Sequence, residues 1–128
     1  MARNAIHSPN APQAIGPYSQ AIQVDAGKMT FLSGQIPLDP KTMEMVQGDV
    51  ATQTDRVMQN LKAVLAEAGL DFSHVVRCTI FLTDLGDFAK VNEVYGRYFT
   101  SAPPSRATVQ VAALPRGAKV EIDAIAVS

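Results

Sequence analysis

The sequence has no tryptophan, one cysteine and two histidines, and aromatic residues make up only 6% of its 128 positions. Each shortage closes a class of function. A lone thiol, Cys78, cannot form an internal disulfide. With no apolar export core in residues 1–7, this leads us to expect a reducing, cytoplasmic setting. His7 lies in a turn-rich arm and His74 just before a strand, neither with a second ligand at metal spacing, so no metal site is expected. The 11 basic residues are scattered among 12 acidic ones, for a net charge of −1. Phosphate binding needs concentrated positive charge and base stacking needs aromatic platforms, so nucleic acid is excluded as the main partner. No apolar run approaches the ~18 residues of a membrane span, which excludes a membrane partner. Repeats and low-complexity tracts are also lacking.

What is present is an ordinary globular composition, 47% hydrophobic and 18% charged, sized for a single domain over residues 1–128. Residues 8–17 are rich in turn formers and read as an irregular arm. Strands are expected at 18–24 and 29–36, joined by a turn at 25–28 into a hairpin. A helix is expected over 49–68, with Val50, Val57, Leu61, Val64, Leu65 and Ala68 on one stripe and Gly69 ending it. Residues 75–82 form a strand, and its single thiol, Cys78, reads as an inert core residue between apolar neighbours. A second helix runs over 87–99, capped by Asp84 or Asp87, and Pro103-Pro104 prevents continuation. Strands at 107–114 and 119–127 flank a turn at 115–118.

The order β-β-α-β-α-β-β describes an α+β layer, a mixed β-sheet with two helices on one face. The last strand carries apolar residues on both parities: Val120, Ile122, Ala124 and Ala126 on one, Ile125 and Val127 on the other. A strand apolar on both faces is buried on both. With no helix left for the second face, we expect other copies of the chain to cover it.

Two charged residues stand out on the closing strands. Arg106 follows the proline break at the lip of the sheet, where a guanidinium is costly to desolvate without an anionic partner. Its planar fork suits a carboxylate, either that of a small substrate or that of a structural ion-pair partner. Glu121 lies on the last strand, within an alternation of Lys119, Glu121 and Asp123 that also fits a solvated face. In the simplest hairpin register Leu114 faces Lys119, Arg106 faces Val127, and Arg106 and Glu121 share a face six positions apart. That is roughly 20 Å at about 3.4 Å per residue, against an arginine reach of about 7 Å. One chain cannot bring both to one ligand in this register, which points to a site between copies.

Several segments together carry a family resemblance. Gly16-Pro17-Tyr18-Ser19-Gln20-Ala21, Ser33-Gly34-Gln35-Ile36, Asp87-Phe88-Ala89-Lys90-Val91-Asn92, Pro104-Ser105-Arg106 and Gln110-Val111-Ala112-Ala113-Leu114-Pro115, followed by Val120-Glu121-Ile122-Asp123-Ala124, resemble the RidA family. These reactive intermediate deaminases are also called YjgF or L-PSP proteins. The resemblance implies a chorismate-mutase-like fold and a homotrimer with a central barrel and clefts between subunits. It implies a metabolite damage-control activity: hydrolysis of 2-iminobutyrate and 2-iminopropanoate, formed from enamines, to 2-oxo acids and ammonia. Pyridoxal-phosphate enzymes acting on threonine or serine would be the source of those imines. Carried onto this chain, Arg106 would grip the substrate carboxylate, Glu121 would orient a water, and Tyr18 would contact the ligand. Ser33, Gly34 and Thr108 would add backbone contacts, and Asn92 lies in a matching motif. Ser105, Thr108, Gln110 and Asp123 depart from frequent family residues; Thr108 stands where many relatives have a cysteine, which removes any thiol-based reactivity there.

This equipment suits a protonated imine, which is already electrophilic and needs only holding and an aimed water. No cofactor is called for. Two other functions fit parts of the pattern. A non-catalytic regulatory protein that binds small carboxylates would keep Arg106 without needing Glu121. An endoribonuclease or translation inhibitor would need the basic patch and stacking aromatics that are missing. Ser33-Gly34-Gln35 lacks the flanks of a nucleophile elbow, and Tyr18 also fits a core aromatic with a satisfied hydroxyl.

Overall fold

The computed structural model describes residues 3–25 and 27–128. The turn expected at 25–28 falls partly on Ala26, outside the described residues. Among the described residues the strands are β1 (Arg3–Ile6), β2 (Ala21–Val24), β3 (Met29–Gln35), β4 (Val75–Leu82), β5 (Ser105–Gln110) and β6 (Val120–Val127), and the helices are α1 (Val50–Glu67) and α2 (Phe88–Gly96).

Helix α1 starts where the Asp49 carboxylate accepts the Thr52 N–H at 2.9 Å, satisfying one of the free donors of the first turn. It stops before Gly69, whose φ of +75° is a left-handed conformation that glycine adopts without strain. Its buried face carries Val50, Val57, Met58, Leu61 and Leu65, with the Thr54 hydroxyl returned to the Val50 carbonyl at 2.7 Å. Val64 and Ala68, expected in the stripe, are exposed. Helix α2 ends at Gly96, earlier than expected. Asp84 serves the 3₁₀ turn Leu85–Asp87 that precedes it rather than α2 itself, and Asp87 makes no side-chain cap bond.

Four strands pair in the order β3-β6-β4-β5. Strands β4 and β5 are parallel, and β6 is antiparallel to both β3 and β4. Neither expected hairpin forms. Strand β2 pairs with β1, a strand not anticipated from the sequence, with Arg3 opposite Val24 and Ile6 opposite Ala21. Strands β5 and β6 are separated by β4. The reason lies in β6: a strand apolar on both parities gains most in the middle of a sheet, where both rows of backbone groups are paired. Strand β5 also ends early. Its partner β4 stops at Leu82, whose carbonyl takes the Val111 N–H at 2.8 Å, so residues beyond have no strand to pair with. The chain then turns through Pro115–Gly117, with Arg116 and Gly117 both at positive φ.

The connections β3-α1-β4 and β4-α2-β5 step across the sheet in one direction. Crossovers of one hand stepping one way place both helices on the same side. Under them lies the core: Ile80, Leu82, Cys78, Val120, Ile122, Ala124 and Ala126 packed on Val57, Leu61, Leu65, Val91 and Tyr95. The opposite face has no such cover. Phe31 there is 68% exposed, Met29 and Val109 are also exposed, and Ile125 is only half-buried. We expect this face to be covered by other copies. Phe31→Glu should then sediment as a monomer at micromolar concentration where the wild type sediments as an oligomer. A monomeric wild type, or a variant that assembles unchanged, would contradict this.

Candidate functional site

Arg106 pairs in register with Cys78 on β4, so its side chain leaves the sheet on the helix-covered face. Helix α2 lies across that face and presents Phe88, Asn92 and Tyr95, one stripe at i, i+4 and i+7. One guanidinium nitrogen of Arg106, Nη1, donates to Asn92 Oδ1 at 2.7 Å. Its central carbon lies 5.2 Å from the Tyr95 ring centre, 5.4 Å from that of Tyr18 and 5.6 Å from that of Phe88. Among the described residues no carboxylate pairs with Arg106; the two ion pairs there are Asp71–His74 and Glu93–Arg97. A half-buried cation is therefore held by one neutral amide and three aromatic faces, each such face worth about 0.5–2 kcal/mol. Burial lowers the guanidinium's pKa, while Tyr95, Cys78 and Tyr18 act in the opposite direction. Arginine stays charged under any such shift at neutral pH.

Nη2 of Arg106 lies beside the turn at Gly16–Tyr18. Tyr18 N–H bonds the Gly16 carbonyl at 2.8 Å around Pro17, a tight turn that lays the tyrosine ring against the guanidinium. A side chain at Gly16 would begin 3.5 Å from Arg106 Nη2, which places this turn directly over the guanidinium. The Tyr18 hydroxyl accepts the Ile15 N–H at 3.3 Å. Tyr18 is thus a wall of the site, not a core aromatic.

Of two buried hydroxyls in this neighbourhood, that of Thr108 has no hydrogen-bond partner among the described residues, and that of Tyr95 has none but the weakly bonding Cys78 thiol. Thr108 is two residues beyond Arg106 on the same face of β5. Burial raises the pKa of Tyr95 and pushes the Cys78 thiol up to about 11, so Cys78 is the inert core residue that the sequence indicated.

Glu121, Ser33 and Gly34 lie elsewhere. Glu121 pairs with Phe81 and leaves the sheet on the open face. The shared face expected from the hairpin register is therefore corrected. Arg106 and Glu121 project from opposite faces, two strands apart and three residues offset, roughly 10 Å across and about 10 Å along. Ser33 and Gly34 form an irregularity between Leu32 and Gln35 on the far edge strand β3. A Cβ at Gly34 would stand 2.3 Å from Glu121 Oε2, so the carboxylate rests against bare backbone that only glycine provides. The expected site residues thus fall into two separate groups within one chain. Tyr18, Asn92, Arg106 and Thr108 make one; Ser33, Gly34 and Glu121 make the other. The sequence reading missed Phe88 and Tyr95 as walls, although their spacing around Asn92 was visible.

Residues 8–128 match the family model described as Endoribonuclease L-PSP. The mouse 2-iminobutanoate/2-iminopropanoate deaminase is 50% identical over 125 residues, covering 98% of this chain and 91% of that protein. The chain belongs to the RidA/YjgF/L-PSP family. A Myxococcus xanthus relative, Protein DfrA, is 86% identical over the whole chain and 98% of its own length. The solved structure of Escherichia coli TdcF with bound serine superposes with a TM-score of 0.76 at 46% identity, covering 98% of each chain. The fold is thus the α+β fold of RidA proteins, as the sequence motifs implied.

The burial of Cys78 has a direct consequence. The folded protein should leave this thiol unmodified by iodoacetamide at pH 8, and the urea-unfolded chain should react fully. Rapid alkylation of the folded form would show that β4 opens beside Arg106.

Proposed function

We propose that the protein hydrolyses 2-imino acids, such as 2-iminobutyrate and 2-iminopropanoate, to 2-oxo acids and ammonia at a seam between copies, in a cytoplasmic homotrimer of this one domain. The observation that carries the reading is the half-buried Arg106, bonded to a neutral amide and lacking a carboxylate partner among the described residues. A structural ion pair would have one. The naming of the mouse relative supports imine hydrolysis, and the serine bound to TdcF supports a ligand carrying an α-carboxylate. The division into two half-sites supports assembly: Glu121 and the Ser33-Gly34 backbone of one copy would complete the Arg106 half-site of the next.

In this site the guanidinium of Arg106 takes the substrate carboxylate through its free N–H groups, with Asn92 fixing the fork's plane and Tyr18 closing one side. Water adds to the carbon of the protonated C=N bond, and Glu121 from the neighbouring copy accepts the water's proton. The resulting carbinolamine regains that proton on nitrogen, the C–N bond breaks, Glu121 takes the carbinol hydroxyl proton as the C=O forms, and ammonia carries that proton away as ammonium. Holding substrate and water together supplies much of the acceleration. Carboxylate-assisted proton transfer contributes typically ~10²–10⁴-fold.

The test generates 2-iminobutyrate in situ with threonine dehydratase and follows 2-oxobutyrate release against semicarbazide as a competing trap. Wild-type protein should accelerate release. Binding of 2-oxobutyrate without acceleration would favour a carboxylate sensor. Arg106→Lys should lose at least about tenfold in kcat/KM, because an ammonium cannot form the paired hydrogen bonds; near wild-type turnover would show that the fork is immaterial.

Glu121→Gln should lower kcat about 10²-fold while changing 2-oxobutyrate affinity little. An equal loss of affinity would assign Glu121 to the substrate clamp instead.

A further inference from the structure

Three consecutive carbonyls just before Arg106 are taken by donors from the first twenty residues. Arg3 Nη1 donates to Ala102 O at 2.7 Å, the Ser19 hydroxyl donates to Pro103 O, and the Ser19 N–H donates to Pro104 O at 3.2 Å. Pro103 and Pro104 have no N–H, so they cannot anchor this stretch by donating into a neighbour, and β5 begins only at Ser105. The grip on the stretch is therefore side-chain and arm chemistry, and Ser19 supplies two of the three bonds. Ser19 is also one of few buried polar side chains, 8% exposed.

Its position in the sequence gives those bonds a purpose. Tyr18 immediately precedes Ser19, and Arg106 lies two residues beyond Pro104. Ser19 thus rivets together the two backbones that carry the tyrosine ring and the guanidinium it faces at 5.4 Å. Gln20 ties the other side of the strap. Its Oε1 accepts the Ser8 N–H at 2.6 Å and its Nε2 donates to Pro12 O at 2.6 Å. In Tyr18-Ser19-Gln20, successive residues serve the guanidinium, the diproline stretch and the arm.

We propose that Ser19 is a positioning residue for carboxylate binding: its hydroxyl fixes the spacing between Tyr18 and Arg106 and so the opening of the clamp. This rests on the reading of Arg106 as a carboxylate clamp. Without the hydroxyl, Pro103 O loses its donor, and the strap and the start of β5 separate.

The experiment compares Ser19→Ala with wild type in the assembled protein by calorimetric titration with 2-oxobutyrate and by the imine assay. The Kd for 2-oxobutyrate and the KM for 2-iminobutyrate should rise together, about fivefold, the usual weight of one hydrogen bond. The kcat should stay within about twofold, as expected when only binding of substrate and transition state alike is lost. If the alanine variant does not assemble, Ser19→Cys carries the test, because a thiol keeps the volume and donates only weakly; its Kd should also rise. A wild-type Kd in the variant that folds, a fall in kcat with Kd unchanged, or failure of both variants to assemble would overturn the proposal. Because titration reads the clamp without turnover, a wild type that binds 2-oxobutyrate but releases no product faster sinks the deaminase reading alone, and Ser19 is then judged on Kd.

Discussion

A positive charge taken half out of water with no negative charge beside it sets the terms for the rest of this structure. Desolvating a guanidinium is expensive, and the described residues offer Arg106 an amide oxygen and the faces of three rings but no carboxylate. Three of these contacts come from α2 and the fourth from the N-terminal arm. The parallel register with β4 directs the arginine toward the helices. Residues 88, 92 and 95 of α2 form a single stripe above it, and the turn at Gly16 brings Tyr18 in from the N-terminal arm. Together they hold the charge and leave part of its fork uncommitted. A neutral partner gives this result where a carboxylate would not: Asn92 orients one nitrogen without cancelling the charge that an anionic ligand would seek.

The second constraint is topological. Two crossovers stepping the same way put α1 and α2 on one face, and the described residues hold no third α-helix for the other. The open face and the separation of Glu121 from Arg106 share this origin. Residues on even positions of β6 pack under the helices, while Glu121, Asp123 and Ile125 look out from the other side. Glu121 cannot reach Arg106 through its own sheet, and its carboxylate instead occupies the space left by the missing side chain of Gly34.

The sequence was most legible where one local signal had no competitor. Strand β4 lies at its expected bounds because a run rich in branched and aromatic residues admits little else, and Gly69 marks the end of α1. Both hairpin assignments failed because a turn between two apolar runs is a local argument, and β6 answers to a non-local one. Its apolarity on both parities marks a central strand rather than one half of a hairpin. Strand β1 carried no signal: Arg-Asn-Ala-Ile neither alternates clearly nor favours strands, and it is ordered by β2 and by the reach of Arg3 to Val75 and Ala102. Arg106 was found by its chemistry and did not depend on the topology. The inference that Arg106 and Glu121 cannot meet within one chain survives with a different cause, opposite faces rather than distance along one face.

On the reading proposed for the site, the charges have an order that favours turnover. A 2-imino acid carries a carboxylate at one end and a protonated nitrogen next to the reacting carbon. Arg106 and Glu121 of a neighbouring copy would then make a plus-minus-plus-minus row with it, every adjacent pair attractive and strengthened as the seam excludes water. Hydrolysis removes the inner positive charge. The 2-oxo acid left behind keeps its hold on Arg106 but no longer has a charged nitrogen for Glu121 to attract. The same two residues that attract the substrate therefore bind the product less well, and release needs no moving part.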